Sequence, residues 1–324
     1  MTKLEVQLDE ADQAAQLRAD ARAGLSSDPK WLPPKWFYDA RGSELFEQIT
    51  RLPEYYPTRT ERAILADRAG DIAEVTRATT LVELGSGSSE KTRLLLDALT
   101  GHGTLRAFVP LDVSDSALQE AATAIAADYP GLVVQPVVGD FTRHLKVLPS
   151  DGTRLVAFLG GTIGNLLPAD RARFLAELRD SLEPGEWLLL GAGLVTDPAV
   201  LVPAYDDAAG VTAEFNRNVL RVLNRELGAD FDVEAFAHVA AWVPEQEWIE
   251  MRLRATRPMT VRLPAVDLTV EFAAGEQLRT EVSAKFRRRG LARELAAAGF
   301  VLRQWWTDPD QRFSLSLCEA EATR

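Results

Sequence analysis

The stretch Val82-Glu83-Leu84-Gly85-Ser86-Gly87 decides the fold of this chain of 324 residues. A short apolar run, 81–84, ends in two closely spaced glycines, and residues 91–99 follow with helical spacing. Glycine allows the backbone to turn sharply off a strand and to approach a ligand closely. The segment therefore predicts a strand, a ligand-binding loop and a helix.

Glu90, three residues after Gly87, narrows the class of ligand that the loop can bind. A dinucleotide-binding loop carries a third glycine where the pyrophosphate meets the helix N-terminus. Here Glu90 occupies that position, and its negative charge opposes a phosphate. S-adenosylmethionine has no phosphate and carries a positive sulfonium, so it suits this loop better than a dinucleotide does.

Alternating strands and helices extend through the middle of the chain. Further apolar runs lie at 105–113, 132–138, 155–159 and 187–190, and helical segments lie at 116–128 and 169–181. This alternation is typical of βαβ units in a parallel sheet that is covered on both faces. A helix at 291–298, ended by Gly299, precedes a hairpin formed by 300–307 and 312–319. The predicted fold is α/β, with a seven-stranded class I (Rossmann-like) methyltransferase sheet.

Acidic residues follow two of the predicted strands. Asp112 ends the second strand, where a carboxylate can accept hydrogen bonds from both ribose hydroxyls, and Asp140 follows the third, where it can accept from the adenine amino group. Phe141 can cover the face of the adenine. Ligands bind at the carboxyl ends of strands in such sheets. An aspartate at a strand end can also be a turn residue or a helix N-cap, but the ordered set favours a cofactor site.

Two segments lie outside the predicted sheet, residues 1–60 and residues 197–284. Residues 249–255 alternate apolar and charged side chains, and 263–272 and 278–286 continue in this strand-like style. We predict a cofactor-binding methyltransferase domain from 61–196 plus 285–324, and a second α+β substrate domain from 1–60 plus 197–284. Thr58-Arg59-Thr60-Glu61 has the form of a capping box that starts the helix before the first strand.

Composition excludes several classes of function. The net charge is -12 and the pI is about 4.9, which disfavours binding to nucleic acid. No apolar run is long enough to span a bilayer, and the N-terminal residues do not resemble a signal peptide. One cysteine and three scattered histidines offer no cluster of metal ligands. We expect a cytoplasmic, metal-free monomer.

Long and unusual motifs across nearly the whole chain resemble one family, the histidine-specific Nα-methyltransferases of ergothioneine biosynthesis. The motifs are Leu32-Pro33-Pro34-Lys35-Trp36-Phe37-Tyr38-Asp39, Leu52-Pro53-Glu54-Tyr55-Tyr56-Pro57-Thr58-Arg59, Glu83-Leu84-Gly85-Ser86-Gly87 with Lys91-Thr92, Gly160-Gly161-Thr162-Ile163-Gly164-Asn165, Ala204-Tyr205-Asp206-Asp207, Phe215-Asn216-Arg217-Asn218 and Thr280-Glu281-Val282-Ser283.

The resemblance implies an activity and a set of site residues. The family transfers three methyl groups from S-adenosylmethionine to the α-amine of L-histidine, which gives hercynine. By resemblance the cofactor is held by Gly85, Lys91, Asp112, Asp140 and Phe141. Histidine is held by Tyr55, Asn165, Tyr205, Glu281 and Ser283, and Tyr38 lies close to the reacting amine as the catalytic residue. Gly161 departs from the family, where a serine is expected.

Chemistry of the residues leaves several points open. The substrate carboxylate suits the Asn165 amide and the Tyr205 hydroxyl, with Arg217 as an alternative. Met251 lies on the apolar side of a predicted strand, where it either lines the imidazole pocket or fills the core. Either Tyr38 or a water molecule takes the proton from the amine.

Three other functions compete with histidine methylation. A related enzyme could methylate another amino acid such as tryptophan, but an acid at position 281 favours an imidazole over a large apolar ring. Glu90 opposes a nicotinamide-dependent oxidoreductase. The intact set of Gly85, Asp112 and Asp140 opposes a non-catalytic protein on a degenerate methyltransferase fold.

Overall fold

The computed structural model describes residues 5–8, 10–149 and 152–322. The described residues divide into two compact units, the first within Met1–Leu8, Pro57–Val195 and Lys285–Arg324, the second within Asp9–Tyr56 and Thr196–Ala284. The sequence assigned residues 5–8 to the second domain, and this was wrong. Their short strand pairs with the sheet of the first unit.

The structure contains strands and α-helices with the following bounds. The strands are β1 Glu5–Val6, β2 Lys30–Trp31, β3 Thr80–Leu84, β4 Ala107–Asp112, β5 Val133–Val134, β6 Val137–Val138, β7 Arg154–Phe158, β8 Trp187–Gly193, β9 Phe236–Val243, β10 Trp248–Ala255, β11 Met259–Leu263, β12 Leu268–Phe272, β13 Gln277–Ala284, β14 Phe300–Thr307 and β15 Phe313–Ala320. The helices are α1 Glu10–Leu25, α2 Ala40–Ile49, α3 Tyr56–Thr76, α4 Arg93–His102, α5 Asp115–Asp128, α6 Pro168–Asp180, α7 Pro198–Leu201, α8 Val211–Leu227 and α9 Arg288–Ala297.

One sheet organises the first unit. Its strand order is β1-β6-β4-β3-β7-β8-β15-β14, with β5 also paired to β4. All neighbours are parallel except β15, which runs antiparallel to both β8 and β14. The predicted α/β fold with an antiparallel closing hairpin is confirmed, but among the described residues the sheet has nine strands and not the predicted seven, because β1 adds an edge strand and the predicted third strand is divided. The predicted strand at 132–138 is split into β5 and β6 around Pro136, which has no backbone N–H for a ladder.

Burial explains why these segments form a parallel sheet. All five residues of β3 and of β7 are buried, as expected for strands that helices cover on both faces. Leu81, Leu155 and Leu189 lie in one hydrophobic core with side chains of α3 and α4. The carboxyl ends of β3, β4 and β7 consequently sit side by side at one edge of the sheet.

The second unit has a four-stranded sheet in the order β2-β13-β10-β9 and a separate hairpin of β11 and β12. The sequence predicted one strand over 263–272, but Pro264–Val266 forms a 3-10 turn and Asp267 has a φ of 47°. The chain therefore reverses there. Helix α8 packs against this unit's core through Phe215, Val219 and Leu223.

The predicted capping box is also wrong. Helix α3 begins at Tyr56, so Thr58 lies inside it and Glu61 lies in its second turn. Glu61 is completely buried, and Ile64 and Leu65, three and four residues later, are buried beside it on the same helix face.

Within the part of the chain that the structure describes, no helix is both long and apolar enough to cross a bilayer. The described residues contain no group of three or more His, Cys, Asp or Glu side chains suited to hold a metal ion.

Candidate active site

The glycine-rich loop leaves β3 with backbone conformations that favour glycine. Gly85 and Gly87 have φ values of 69° and 49°. The N–H of Gly85 donates to the carbonyl of Leu111 at 2.8 Å, which fixes the start of the loop against β4. A Cβ added to Gly85 would lie 3.9 Å from the ring of Phe141. The loop and the predicted adenine-covering ring are therefore neighbours.

Asp112 lies at the end of β4 and faces the same loop. Its carboxylate accepts hydrogen bonds from the N–H of Gly87 and of Ser114, both at 2.9 Å. Burial raises the pKa of Asp112, while these backbone donors favour its charged form. Since the N–H of Val113 also donates to Asp112 and a carboxylate has about four acceptor positions, capacity remains for one ribose hydroxyl.

Asp140 and Phe141 follow β6. The Asp140 carboxylate accepts from the N–H and the hydroxyl of Thr142, at 2.9 and 2.6 Å, which orients it at the strand end. The Phe141 ring packs on Phe158 and Phe174, with centroids 5.0 and 5.7 Å away. The aromatic packing holds one edge of Phe141 and leaves the ring half-buried beside the glycine loop.

Lys91 forms an ion pair with the buried carboxylate of Glu61. The same carboxylate accepts from the N–H of Gly160, at 2.8 and 3.0 Å from its two oxygens. Glu61 thus joins the loop after β3 to the loop after β7. A Cβ on Gly191 would lie 2.0 Å from Glu61 Oε1, so β8 needs glycine at this point.

Glu83, the penultimate residue of β3, is a second buried acid. Its carboxyl oxygens accept from the hydroxyls of Ser89, at 2.8 Å, and of Thr92. Burial raises the pKa of Glu83 from its ordinary 4.5 to about 7, and the two hydroxyl donors and Lys91 only partly oppose this shift. Glu83 therefore ties the residues that follow the glycine loop back to β3.

Ser86 in the middle of the loop supplies a test of whether a ligand fits. Its hydroxyl oxygen is buried and has no hydrogen-bond partner among the described residues. Buried polar groups are rarely left unpaired. An unpaired hydroxyl, two carboxylates at the strand ends and an aromatic face together fit the polar groups, the ribose and the adenine of S-adenosylmethionine.

Predicted substrate residues meet within the second unit. The hydroxyl oxygens of Tyr205 and Ser283 lie 2.7 Å apart, and the rings of Tyr55 and Tyr205 are 6.3 Å apart in an edge-to-face arrangement. Burial and then the negative charge of Glu281 raise the pKa of Tyr205. The Tyr205 hydroxyl therefore stays protonated and can donate to a ligand.

Tyr38 belongs to the same group of aromatic side chains. Its ring contacts Phe46 and Phe215, with centroids 5.6 and 5.4 Å away, and Phe46 in turn contacts Tyr55 at 6.2 Å. Rings that pack edge to face hold one another in place. The predicted catalytic tyrosine is thereby linked through Phe46 to the predicted substrate tyrosines.

Met251 and Glu281 lie opposite each other in the pairing of β10 with β13. Directly opposite residues project from the same face of a sheet, and Ser283, two residues further along β13, shares that face. Met251 is buried and also belongs to the unit's hydrophobic core. Both interpretations of Met251, pocket lining and core filling, agree with this position.

The remaining predicted residues lie elsewhere. Asn165 ends a 3-10 turn, Thr162–Asn165, after β7 in the first unit, and Gly161 before it has a φ of 71°. Arg217, the alternative partner for the substrate carboxylate, donates to the carbonyl of Phe236 at 2.9 Å and to Glu214 at 2.7 Å. Arg217 is therefore already engaged by protein acceptors.

Sequence reasoning missed three polar residues near these groups: Glu61, Asn216 and His238. Glu61 could have been found because an acid within an apolar helix face requires a buried partner. Asn216 lies in the Phe215-Asn216-Arg217-Asn218 motif, in which the sequence indicated a role only for Arg217. His238 carried no local signal, because its partners come from distant parts of the chain.

Comparison with known proteins identifies the family. A family model described as "Histidine-specific methyltransferase, SAM-dependent" matches residues 17–320. The chain belongs to this family of S-adenosylmethionine-dependent methyltransferases. The match covers both units, so the second unit is part of the family's fold.

Two relatives named histidine N-alpha-methyltransferase are similar to this chain over nearly their full length, and a third relative over part of its length. Histidine N-alpha-methyltransferase from Mycolicibacterium smegmatis is 60% identical over 95% of this chain and 96% of its own. The protein of the same name from Mycobacterium tuberculosis is 59% identical over 93% and 94%. Ergothioneine biosynthesis protein 1 from Neurospora crassa is 29% identical over 86% of this chain and 32% of its own.

Proposed function

We propose that this enzyme transfers three methyl groups, one at a time, from S-adenosylmethionine to the α-amine of L-histidine, giving hercynine for ergothioneine biosynthesis. The observation that carries the proposal is the group formed by Tyr205, Ser283 and Glu281 in the second unit. The Glu281 carboxylate and the Ser283 hydroxyl can satisfy the two nitrogens of an imidazole, and the Tyr205 hydroxyl beside them can donate to the substrate carboxylate. The high identity to the mycobacterial histidine N-alpha-methyltransferases supports the same substrate.

We assign the two units different tasks. In the first unit, Gly85, Asp112 and Asp140 with Phe141 would hold the nucleoside, and Lys91 would hold the methionine carboxylate. In the second unit, Glu281, Ser283 and Met251 would bind the imidazole. The remaining proposed substrate residues are Tyr55, Tyr205 and Asn165.

The chemistry requires little from the protein beyond positioning. When bound, S-adenosylmethionine supplies a methyl group on a positively charged sulfur, which a nitrogen lone pair attacks in line with the sulfur–carbon bond. The protein has to select the deprotonated amine and hold its lone pair in line. Tyr38 or a water beside it accepts the amine proton.

The proposed setting is the cytoplasm, with the enzyme as a monomer that acts on small molecules and not on nucleic acid. The net charge of -12 supports the last point, because it repels phosphate backbones. Light scattering of the purified protein tests the monomer. A dimer mass would contradict it.

A competition assay tests the substrate. The purified enzyme is incubated with S-adenosylmethionine and an equimolar mixture of the twenty amino acids, and products are identified by mass spectrometry. We expect trimethylated histidine. Preferential methylation of tryptophan, which is the alternative substrate, or of any other amino acid would overturn the proposal.

A further inference from the structure

Asn216 of α8 is a completely buried amide with every hydrogen-bonding group in use. Its Nδ2 donates to the carbonyl of Arg252 at 3.1 Å and to Nδ1 of His238 at 2.8 Å. Its Oδ1 accepts from the hydroxyl of Thr280 at 2.5 Å. One side chain therefore joins α8 to β9, β10 and β13.

The contacts of Asn216 fall at a break in the β-ladder. The pairing of β10 with β13 passes from Met251↔Glu281 to Arg252↔Arg279, so the register skips Thr280. A bulge of this kind leaves a residue without a ladder partner and re-aims its neighbours. Asn216 binds both sides of the bulge and thereby helps to set the direction of Glu281.

His238 connects this bulge to Tyr205. Its Nε2 lies 2.8 Å from the carbonyl oxygen of Tyr205, and the hydroxyl of Tyr205 meets Ser283 on β13. The contacts form a closed ring. From the Tyr205 carbonyl it passes through His238 and Asn216 to Thr280. It then follows β13 to Ser283, whose hydroxyl contacts the hydroxyl of Tyr205. The ring spans the side chains that we assign to the substrate imidazole.

Only one arrangement of protons satisfies the contacts of Asn216 and His238. The carbonyls of Arg252 and Tyr205 can only accept hydrogen bonds. The Arg252 carbonyl therefore requires the NH2 group of Asn216 on its side, so Nδ1 of His238 must accept. The proton of His238 must then lie on Nε2, where it donates to Tyr205. A second proton, on Nδ1, would face the N–H of Asn216.

Charged groups around His238 shift its pKa in both directions. Asp206, with Oδ1 3.8 Å from Nε2, and Asp207 favour a protonated ring, whereas Arg217 disfavours it. Burial outweighs the two acids and lowers the pKa of His238 below its ordinary 6.5. The electrostatics thus agree with the neutral ring that the hydrogen bonds require.

We infer that Asn216 and neutral His238 are positioning residues that hold Tyr205 and the Glu281–Ser283 face of β13 in register for the substrate side chain. This inference rests on the proposed function for the identity of the substrate. The hydrogen-bond ring itself does not depend on it.

The substitution Asn216→Asp tests the inference because it preserves shape and replaces a donor with an acceptor. His238 should then take a second proton and donate from Nδ1 to the new carboxylate, so its ring stays charged at neutral pH. As the pH rises, His238 loses the proton on Nδ1. The lone pair of Nδ1 then faces the carboxylate at position 216, and the two repel each other. We expect the ratio of variant to wild-type KM for histidine to rise about tenfold between pH 6 and pH 8. A change of this size corresponds to the loss of one charge-assisted hydrogen bond.

Asn224→Asp is the matched control, because it adds the same charge to α8 at a residue that bonds only the backbone of Phe231. The KM ratio of this variant should stay flat with pH. The KM for S-adenosylmethionine should change less than twofold in both variants. A flat ratio for Asn216→Asp would overturn the inference.

NMR of the imidazole nitrogens provides a readout without activity, since the chain has only three histidines to assign. Wild-type His238 should be the neutral Nε2–H tautomer at pH 7, and it should be charged in Asn216→Asp. A wild-type Nδ1–H tautomer would overturn the inference even if the variant failed to fold. If the wild type does not methylate histidine, the proposed function fails while the NMR result still decides the ring.

Discussion

Glu61 and Lys91 form an ion pair in which the carboxylate side chain is 0% exposed and the ammonium side chain is 22% exposed. The two residues come from α3 and from the loop after β3, thirty positions apart in the sequence. The Glu61 carboxylate also accepts from the Gly160 N–H. One buried acid therefore orients a cationic side chain proposed to bind the cofactor and fixes a second loop.

Glu61→Gln should weaken cofactor binding. The amide keeps one acceptor for Gly160 but loses the charge that holds Lys91, so we expect the Kd for S-adenosylmethionine to rise about tenfold, equal to one charge-assisted hydrogen bond. Isothermal titration calorimetry measures this Kd. Glu186→Gln is the control, since it breaks the buried ion pair with Arg154 in the same unit. Equal losses of cofactor affinity in both variants would refute a specific role for Glu61.

Asp112→Asn should also reduce cofactor affinity. The amide can accept from only one of Gly87 and Ser114, and it loses the charge that would bind a ribose hydroxyl. We expect a Kd for S-adenosylmethionine raised by tenfold to about a hundredfold, with little change in the KM for histidine. Asp115→Asn, at an exposed position of α5, should leave the Kd unchanged. A normal Kd in Asp112→Asn would remove Asp112 from the site.

Glu281→Ala should separate substrate binding from cofactor binding. Loss of a charged acceptor for the imidazole should lower kcat/KM for histidine by about a hundredfold, whereas the Kd for S-adenosylmethionine should change less than twofold. Steady-state kinetics and calorimetry measure the two quantities. Glu271→Ala removes an exposed acid from β12 and should behave as the wild type. A loss confined to cofactor affinity would show that Glu281 is misassigned.

Glu83 should make stability fall as pH rises. Burial raises its pKa from 4.5 to about 7, so the folded state binds more protons than the unfolded state between these values. The contribution is greatest below pH 4.5 and is lost as pH increases to about 7, with a total of about 3 kcal/mol at 1.36 kcal/mol per pKa unit.

Urea unfolding at several pH values tests this dependence. Glu83→Gln resembles the protonated acid and should flatten the decline in the free energy of unfolding between pH 5 and pH 7. The difference between variant and wild type is the quantity to measure, because other groups titrate equally in both. An identical slope in the two proteins would mean that Glu83 is charged in the fold.

Local patterns predicted most of the strands of the first unit. The apolar runs that became β3, β4, β7 and β8 are each continuous, and parallel strands buried on both faces require such runs. The order of these strands in the sheet was known only from the structure. Gly85, Asp112 and Asp140 could be grouped in advance because all three follow carboxyl ends of parallel strands.

The second unit was predicted less well. Alternation identified β10, but the run at 263–272 hides a reversal at Pro264–Val266 that hydrophobic period alone does not reveal. The bulge at Thr280 could not be predicted from the sequence either, because the register depends on how two strands pair. Substrate residues such as Tyr55 and Tyr205 could be selected only through resemblance to the family.

The sequence by itself determined the α/β sheet, the glycine loop and the acids at the strand ends, because each depends on residues that are close along the chain. Only the tertiary structure decided that Glu61 is a buried partner of Lys91 and not a helix cap. It also decided that Asn216 and His238 hold Tyr205 and the bulge at Thr280. A buried polar group is defined by the partners that satisfy it, and folding brings those partners from distant segments.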